Sequence, residues 1–263
     1  MMKTERKVAV ITGAASGVGA AVARSLARDG YSVLINYNRS ADLAHAVADD
    51  CKALGADVIA VQGDVAEDAA CQSLAQQAMS RWGRIDALVN SAAATKFVPM
   101  TNLDAVSAAD FQSIFGINAI GPFQMARAVA KHMGAGGAIV NVSSVAGQTG
   151  SGSSFPYVLS KAALNALTLG LARTLAPGIR VNAVLPGMIE GRWMRDGLGE
   201  EVYEQVKAQF ADTALLRRVS TPEQIASAVC WLLDARCMMT GQLMVVDGGF
   251  TLGRAPSAAG ANR

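Results

Sequence analysis

A doubly wound α/β fold, a parallel sheet of about seven strands with helices on both faces, is what this sequence predicts. Three observations predict it. Short apolar runs rich in β-branched residues alternate with longer runs of helical periodicity along the chain, the pattern of βαβ units laid into one sheet. The first apolar run passes through a glycine-rich turn, Thr12-Gly13-Ala14-Ala15-Ser16-Gly17-Val18-Gly19, straight into a helical run. Further on, the run Ala138 to Val142 leads through Ser143, Ser144 and a Gly/Ser-rich loop into a helix whose first turn holds Pro156.

Taken in order, Lys7 to Ile11 reads as a strand, Gly17 to Arg28 as a helix, Ser32 to Asn36 as a strand and Ala41 to Leu54 as a helix. Val58 to Val61 is a strand, Glu67 to Trp82 a helix and Ala87 to Asn90 a strand. Ala108 to His132 reads as a single long helix. The strand Ala138 to Val142 and the helix running to Leu175 follow, then strands at Arg180 to Val184 and Leu243 to Val246. The strands are short and apolar throughout, as in a parallel sheet covered on both faces. No solenoid-period repeat and no Pro-rich linker divides the chain, so residues 1–252 read as one domain and 253–263 as a small, polar tail.

Composition narrows the function. With 51% hydrophobic residues, 17% charged residues and a net charge of +2, the chain can bury a large core and offers no electrostatic handle for nucleic acid or an anionic membrane. No apolar run reaches membrane-spanning length, and the first residues lack a secretory leader's apolar core, so the cytoplasm is the expected setting. Cys51, Cys71, Cys230 and Cys237 have no CxxC spacing and read as free thiols. The two histidines, His45 and His132, are far apart, which argues against a structural zinc or a Ser-His-Asp triad.

Two stretches carry chemistry. In the first turn, glycines allow a tight bend and bring backbone N–H groups and a helix N-terminus toward a pyrophosphate. The spacing is GxxxGxG. The second strand ends in Asn38-Arg39-Ser40 with no acid to hold ribose hydroxyls. A guanidinium and a hydroxyl suit a 2′-phosphate instead, favouring NADP(H) over NAD(H). Asp64-Val65 closes the third strand, where a carboxylate can meet an adenine amino group. The second stretch is Ser144 to Lys161. Tyr157 and Lys161 lie four apart on one helix face. An ammonium stabilises phenolate, so Tyr157 is expected to ionise below its ordinary value of about 10 and to exchange a proton with a substrate oxygen that Ser144 also contacts. Spacing by itself does not single this pair out, because Tyr203 and Lys207 share it. The preceding strand, serine pair and glycine-rich loop do.

Together these residues resemble the short-chain dehydrogenase/reductase family, from Lys7 to about Gly249. TGAASGVG matches the family's cofactor turn and Asp64 its adenine contact. Asn118 in FGINAIG matches its active-site asparagine, Ser144 its serine, and Tyr157-Val-Leu-Ser-Lys161 its YxxxK. Pro186-Gly187 matches its nicotinamide-side turn and GQLMVVDGG its closing strand. The resemblance implies a single-domain Rossmann fold and hydride transfer between NADP(H) and a carbonyl carbon. It assigns Tyr157 as proton donor, Lys161 as the residue that lowers its pKa and holds the nicotinamide ribose, Ser144 as the group that orients the carbonyl, and Asn118 as the keeper of the site's shape. It implies cofactor contacts from Gly13, Ser16, Gly17, Val18, Gly19, Asn38, Arg39, Ser40, Asp64, Val65, Asn90, Ala92, Tyr157, Lys161, Pro186, Gly187 and Ile189, and no metal.

The chain departs from the family's pattern in two loops. Asn90-Ser91-Ala92-Ala93 stands where the family has Asn-Asn-Ala-Gly, and Gly191 where many members have threonine. These departures motivate a competing reading, a nucleotide sensor or scaffold on a degenerate fold. The stretch 187–212 is expected to form the substrate lid, with Met188, Ile189, Trp193, Met194 and Leu198 apolar and Phe97, Val98 and Met100 at the rim. An apolar or medium-sized ketone or secondary alcohol is the expected substrate class; the wording resembles 3-oxoacyl thioester reductases, and the family equally includes members that act on sugars, steroids or xenobiotics. The family also implies a homodimer or homotetramer built on the long helix and the YxxxK helix.

Overall fold

The computed structural model describes residues 6–253. Seven strands form one sheet: β1 (Val8–Thr12), β2 (Ser32–Tyr37), β3 (Val58–Gln62), β4 (Ile85–Asn90), β5 (Met133–Val142), β6 (Ile179–Pro186) and β7 (Leu243–Val246). Their order is β3-β2-β1-β4-β5-β6-β7 and every pairing is parallel. The chain builds outward from β1 in one direction and then from β4 in the other. The carboxyl ends of β1 and β4 therefore border the switch point, where the crossing helices diverge and leave a crevice.

Adjacent residues of each strand face opposite layers. Ile11, Ile35 and Val140 pack under α1 (Gly17–Arg28) and α10 (Pro222–Leu233). Their neighbours Val10, Leu34 and Ile139 pack under α3 (Asp68–Trp82) and α5 (Gly121–Ala130). Two cores on two faces explain why the strands read as unbroken apolar runs.

Three features differ from the sequence reading. The expected long helix is interrupted: α4 (Ala108–Phe115) and α5 are joined by a π-helical turn, Gly116–Ile120, that contains Asn118. The hydrophobic period runs through the turn unbroken, so the pattern does not announce it. Polar anchoring of Asn118, described below, accounts for the local widening. Second, α10 lies in a stretch to which no helix was assigned. Its start carries Pro222 in the first turn and a reciprocal cap: Gln224 N–H donates to Thr221 Oγ1 (3.3 Å) and Thr221 N–H to Gln224 Oε1 (3.0 Å). Third, within the expected lid stretch the chain forms two helices, α8 (Arg192–Leu198) and α9 (Glu200–Thr213). They close over a small cluster of Met188, Tyr203 and Val219. Of the expected tail, only Gly253 lies within the described residues.

Candidate active site

Strand β5 ends in Val142, followed by Ser143 and Ser144, and α7 (Phe155–Leu175) returns across that end. The junction is tied by buried side chains. Ser143 Oγ donates to Asn165 Oδ1 (2.7 Å) and is 3.3 Å from the Lys161 carbonyl. Lys161, 2% exposed, donates from Nζ to the Val142 carbonyl at 2.9 Å. The short helix α6 (Ala146–Thr149) presses onto α7 so closely that a Cβ on Gly147 would lie 2.6 Å from the Lys161 carbonyl carbon. Ser154 caps α7, accepting the Tyr157 N–H at 3.4 Å.

Tyr157 is half-buried, and the Ser144 hydroxyl beside it favours the charged form of its phenol. Lys161 Nζ lies 5.7 Å from the centre of the Tyr157 ring. Burial raises the Tyr157 phenol above its ordinary value, and the Ser144 hydroxyl pulls it back only in part. The expected depression by Lys161 is thus not what the structure has. Desolvation outweighs it because the ammonium is spent on the Val142 carbonyl and is itself pushed down to about 8 by burial. At neutral pH both groups are protonated, which leaves a neutral phenol beside a cation.

Asn118 is fully buried and reads the backbone of one residue twice. Its Oδ1 accepts the Ala94 N–H (2.8 Å) and its Nδ2 donates to the Ala94 carbonyl (2.9 Å). Nδ2 also reaches Ser160 Oγ (2.9 Å), which donates to the Tyr157 carbonyl (2.7 Å). One asparagine therefore locks the loop after β4 to the helix that carries Tyr157 and Lys161.

Across the switch point lies the glycine turn. Gly13 and Gly17 hold φ of +62° and +56°. A Cβ on Gly13 would lie 2.6 Å from Ala92 Cα, and one on Gly19 would lie 2.6 Å from the Gly13 carbonyl oxygen. Those two glycines let the turn pack on itself and on the β4 loop. Gly17 faces open space, which leaves room above the N-terminus of α1, with Ser16 at its cap and Val18 buried below. Thr12 Oγ1 fastens the turn to the β4 loop by accepting the N–H groups of Ser91 (3.1 Å) and Ala92 (3.2 Å). Asn36 accepts the Gly13 N–H (3.4 Å) and donates to the Gly63 carbonyl (2.9 Å), joining the tips of three strands. Neither Thr12 nor Asn36 was singled out from sequence, because their partners are distant in the chain.

The remaining expected contacts divide. Asn38 Nδ2 donates to Asp64 Oδ2 at 2.8 Å, and Asp64 Oδ1 accepts the Ala66 N–H, so these two face each other at the ends of β2 and β3. Arg39 is exposed beside them, and Ser40 caps α2 (Ala41–Ala53) without a side-chain bond. Pro186, Gly187 and Ile189 line the turn after β6, where Gly187 packs on Phe210 and Asp247 and Ile189 bridges to Ser220. Two side chains are held away from the crevice. Val65 packs against Gly121, and its carbonyl accepts from Gln124 Nε2 (2.9 Å). Asn90 donates to Asn141 Oδ1 (2.9 Å), and Asn141 donates to Thr168 Oγ1 (2.9 Å), a buried polar chain from β4 through β5 to α7. Ala93 is exposed and unstrained, since Arg217 is the one non-glycine with positive φ among the described residues. Gly191 sits at φ +150° with open space beside it, a conformation threonine avoids.

Tyr203, the spacing decoy, lies in the lid. It is fully buried between Arg195 and Lys207, and its hydroxyl has no hydrogen-bond partner among the described residues. An unpaired buried hydroxyl costs about 1–3 kcal/mol. Tyr203→Phe is therefore expected to leave the melting temperature unchanged or raise it by a few degrees, with turnover unaltered. A calorimetric drop of several degrees would contradict this placement.

A parallel sheet with a glycine-turned crevice at its switch point defines a dinucleotide-type oxidoreductase scaffold, and a phenol, a hydroxyl and an ammonium meet at its edge. A family model described as Enoyl-(Acyl carrier protein) reductase matches residues 13–251. A Streptomyces violaceoruber protein described as a ketoacyl reductase of the granaticin polyketide synthase is 38% identical over 247 residues, covering 93% of this chain and 96% of its own. A Burkholderia xenovorans structure described as a short-chain dehydrogenase/reductase superposes with a TM-score of 0.88 at 38% identity, over 95% of this chain and 100% of that one. A blue fluorescent protein from a metagenomic library, solved in complex with NADPH, gives 0.83 at 33%, over 93% and 97%. The chain belongs to the short-chain dehydrogenase/reductase family.

Proposed function

We propose that this chain is an NADP(H)-dependent oxidoreductase that interconverts a ketone and a secondary alcohol, with Tyr157 as the acid and base. The observation that carries the proposal is the convergence of Ser144, Tyr157 and Lys161 at the carboxyl end of β5, with Lys161 Nζ 5.7 Å from the Tyr157 ring and anchored on the Val142 carbonyl. Bound NADPH would supply the hydride to the carbonyl carbon. Tyr157, kept as a neutral phenol by burial, donates its proton to the carbonyl oxygen. Ser144 orients that oxygen, and the two hydroxyls meet the charge that develops on it. Lys161 would hold the ribose hydroxyls, and its ammonium stabilises the phenolate that proton donation leaves. Asn118 positions α7 rather than touching substrate.

The cradle fits a dinucleotide. Gly17 leaves open space at the α1 N-terminus for a pyrophosphate. Gly13, Ser16, Val18, Gly19, Ala92, Pro186, Gly187 and Ile189 would border it, with Asp64 at the adenine end, and Asn90 and Val65 could reach it only through their backbone. Arg39 is exposed just past β2 with no ion pair or hydrogen bond among the described residues, a cation available to a 2′-phosphate beside Asn38 and Ser40. The NADPH-bound neighbour is consistent with this preference. Arg39→Ala is expected to weaken NADPH about tenfold or more, the loss of one charge-assisted contact, and to leave NADH within about twofold. Fluorescence titration reads both, and equal weakening of the two would refute the assignment.

The expected substrate is an apolar or medium-sized carbonyl compound, and the ketoacyl reductase relative supports a 3-oxoacyl-like member of that class. A silent nucleotide sensor needs the two loop departures to impair the crevice. Ala93 is exposed and Gly191 has open space beside it, so neither motivates that reading further. No helix among the described residues is long and apolar enough to cross a membrane, and the four cysteines are free thiols, consistent with the cytoplasm. Exposed Ile120 and Phe123 on the α4–α5 side and Leu159 on α7 support association of copies into a dimer or tetramer. Sedimentation showing monomer alone would remove that part.

A further inference from the structure

The lid places an aromatic pair beside the Tyr157 phenol. Trp193 and Gly197 stand four residues apart, on the same side of α8. Phe97, from the loop after β4, lies in the notch that Gly197 leaves. A Cβ there would fall 2.0 Å from Phe97 Cε2 and 2.4 Å from Cδ2, so the ring rests on the helix backbone itself. The same ring meets Trp193 at 5.7 Å between centroids, with planes 60° apart. Trp193 meets Tyr157 at 6.3 Å and 47°. One aromatic surface thus runs from the β4 loop, across the lid, to the phenol.

Both supports of this surface are fixed. The loop that carries Phe97 is pinned to the loop before α7: Val98 N–H donates to the Ser153 carbonyl (2.9 Å), and Thr95 Oγ1 lies 2.6 Å from Ser153 Oγ. Lys96 pairs with Asp110 on α4 at 2.9 Å. On the lid, Arg192 pairs with Asp196 (3.3 Å), Arg195 with Glu200 (3.0 Å) and Lys207 with Glu190 (3.4 Å), so these lid cations are matched by carboxylates. Trp193 remains 48% exposed, with ring surface still uncovered. A substrate oxygen at hydrogen-bond distance from the Tyr157 hydroxyl brings the group attached to its carbonyl carbon within reach of that surface.

We infer that Trp193 and Phe97 form a wall selecting carbonyl compounds with a flat, apolar ring directly beside the C=O, aryl ketones as a class, and that bare Gly197 is what lets Phe97 hold the wall in place. The inference rests on the oxidoreductase reading above. A ring stacks on Trp193 through offset or edge contacts that an alkyl chain cannot make, and it has fewer rotors to freeze on binding.

The experiment compares an aryl methyl ketone with an alkyl methyl ketone of equal carbon count, both with NADPH. The wild type is expected to favour the aryl ketone by about tenfold or more in kcat/KM. Trp193→Leu, at a half-exposed site that tolerates the change, is expected to erase that preference while NADPH affinity stays within about twofold. Gly197→Ala is expected to erode the same preference by displacing Phe97. In a Phe97→Ala background the Gly197→Ala change is expected to have no further effect, because the added methyl enters the space the ring has left. Equal losses for both ketones in Trp193→Leu, or an alkyl preference in the wild type, would overturn the aromatic wall and leave the oxidoreductase reading standing. NADPH binding without turnover of either ketone, or of any other carbonyl compound, would overturn both.

Discussion

Tyr157→Phe is expected to lower kcat by about a thousandfold, within the range removed with a positioned general acid, and to leave the NADPH dissociation constant within about twofold. The substitution takes away one oxygen. The ring, its 6.3 Å contact with Trp193 and the α7 cap at Ser154 all persist. Ser144 keeps its bond from the Ala146 N–H at 3.1 Å. The loss therefore falls on chemistry, and no fold defect is expected in a melting curve. The direction of the reaction follows from the raised phenol. With Tyr157 neutral at pH 7, ketone reduction finds its acid already protonated, whereas alcohol oxidation needs phenolate and is expected to climb as pH rises. A Tyr157→Phe protein with unchanged turnover would remove Tyr157 from the mechanism.

Lys161→Met is expected to lower kcat about a hundredfold, the scale of removing one preorganised charge, with little change in melting temperature at neutral pH. Two terms set the stability. Burial moves Lys161 from an ordinary 10.5 to about 8, a cost on the order of 3 kcal/mol to the folded state when the ammonium is charged. Methionine removes that cost but leaves the Val142 carbonyl without its 2.9 Å partner, a loss of about 1–3 kcal/mol. The terms nearly offset. Their pH dependence does not. Between about 8 and 10.5 the unfolded chain holds the lysine proton more tightly than the folded one, so wild-type stability gains from this site as pH rises through that window. The Lys161→Met protein has no such gain, and chemical denaturation at pH 7 and pH 10 reads the difference. kcat/KM for NADPH, which reports the free enzyme, is expected to fall above about pH 8 as the ammonium is lost. A flat profile through that range would contradict a role for its charge.

The central strands were legible because they are buried on both faces: Val10 and Ile11, or Ile139 and Val140, leave no polar residue to blur the run. The glycine turn and the order of motifs located the crevice. Other features depend on partners that a linear reading does not supply. The π-turn at Asn118 follows from Ala94 and Ser160, far along the chain, while the apolar period continues through it. α10 carries a legible signal in its Thr221–Gln224 cap with Pro222. The Tyr157 phenol went the other way from expectation because sequence names a charged neighbour and says nothing about desolvation. Tyr203 repeats the Tyr–Lys spacing in a lid core, where its hydroxyl meets no partner, so context rather than spacing separates the two pairs.

The most direct measurement is consumption of reduced nicotinamide by the wild-type protein, run in parallel with NADPH and NADH over a panel of small apolar ketones. NADPH is expected to be oxidised in step with the appearance of secondary alcohol, faster than NADH at equal concentration, with the rate abolished in Tyr157→Phe. Tight binding of NADPH with no ketone reduced, and no alcohol oxidised with NADP⁺, would contradict the proposed chemistry and leave a nucleotide-binding protein on a dehydrogenase fold.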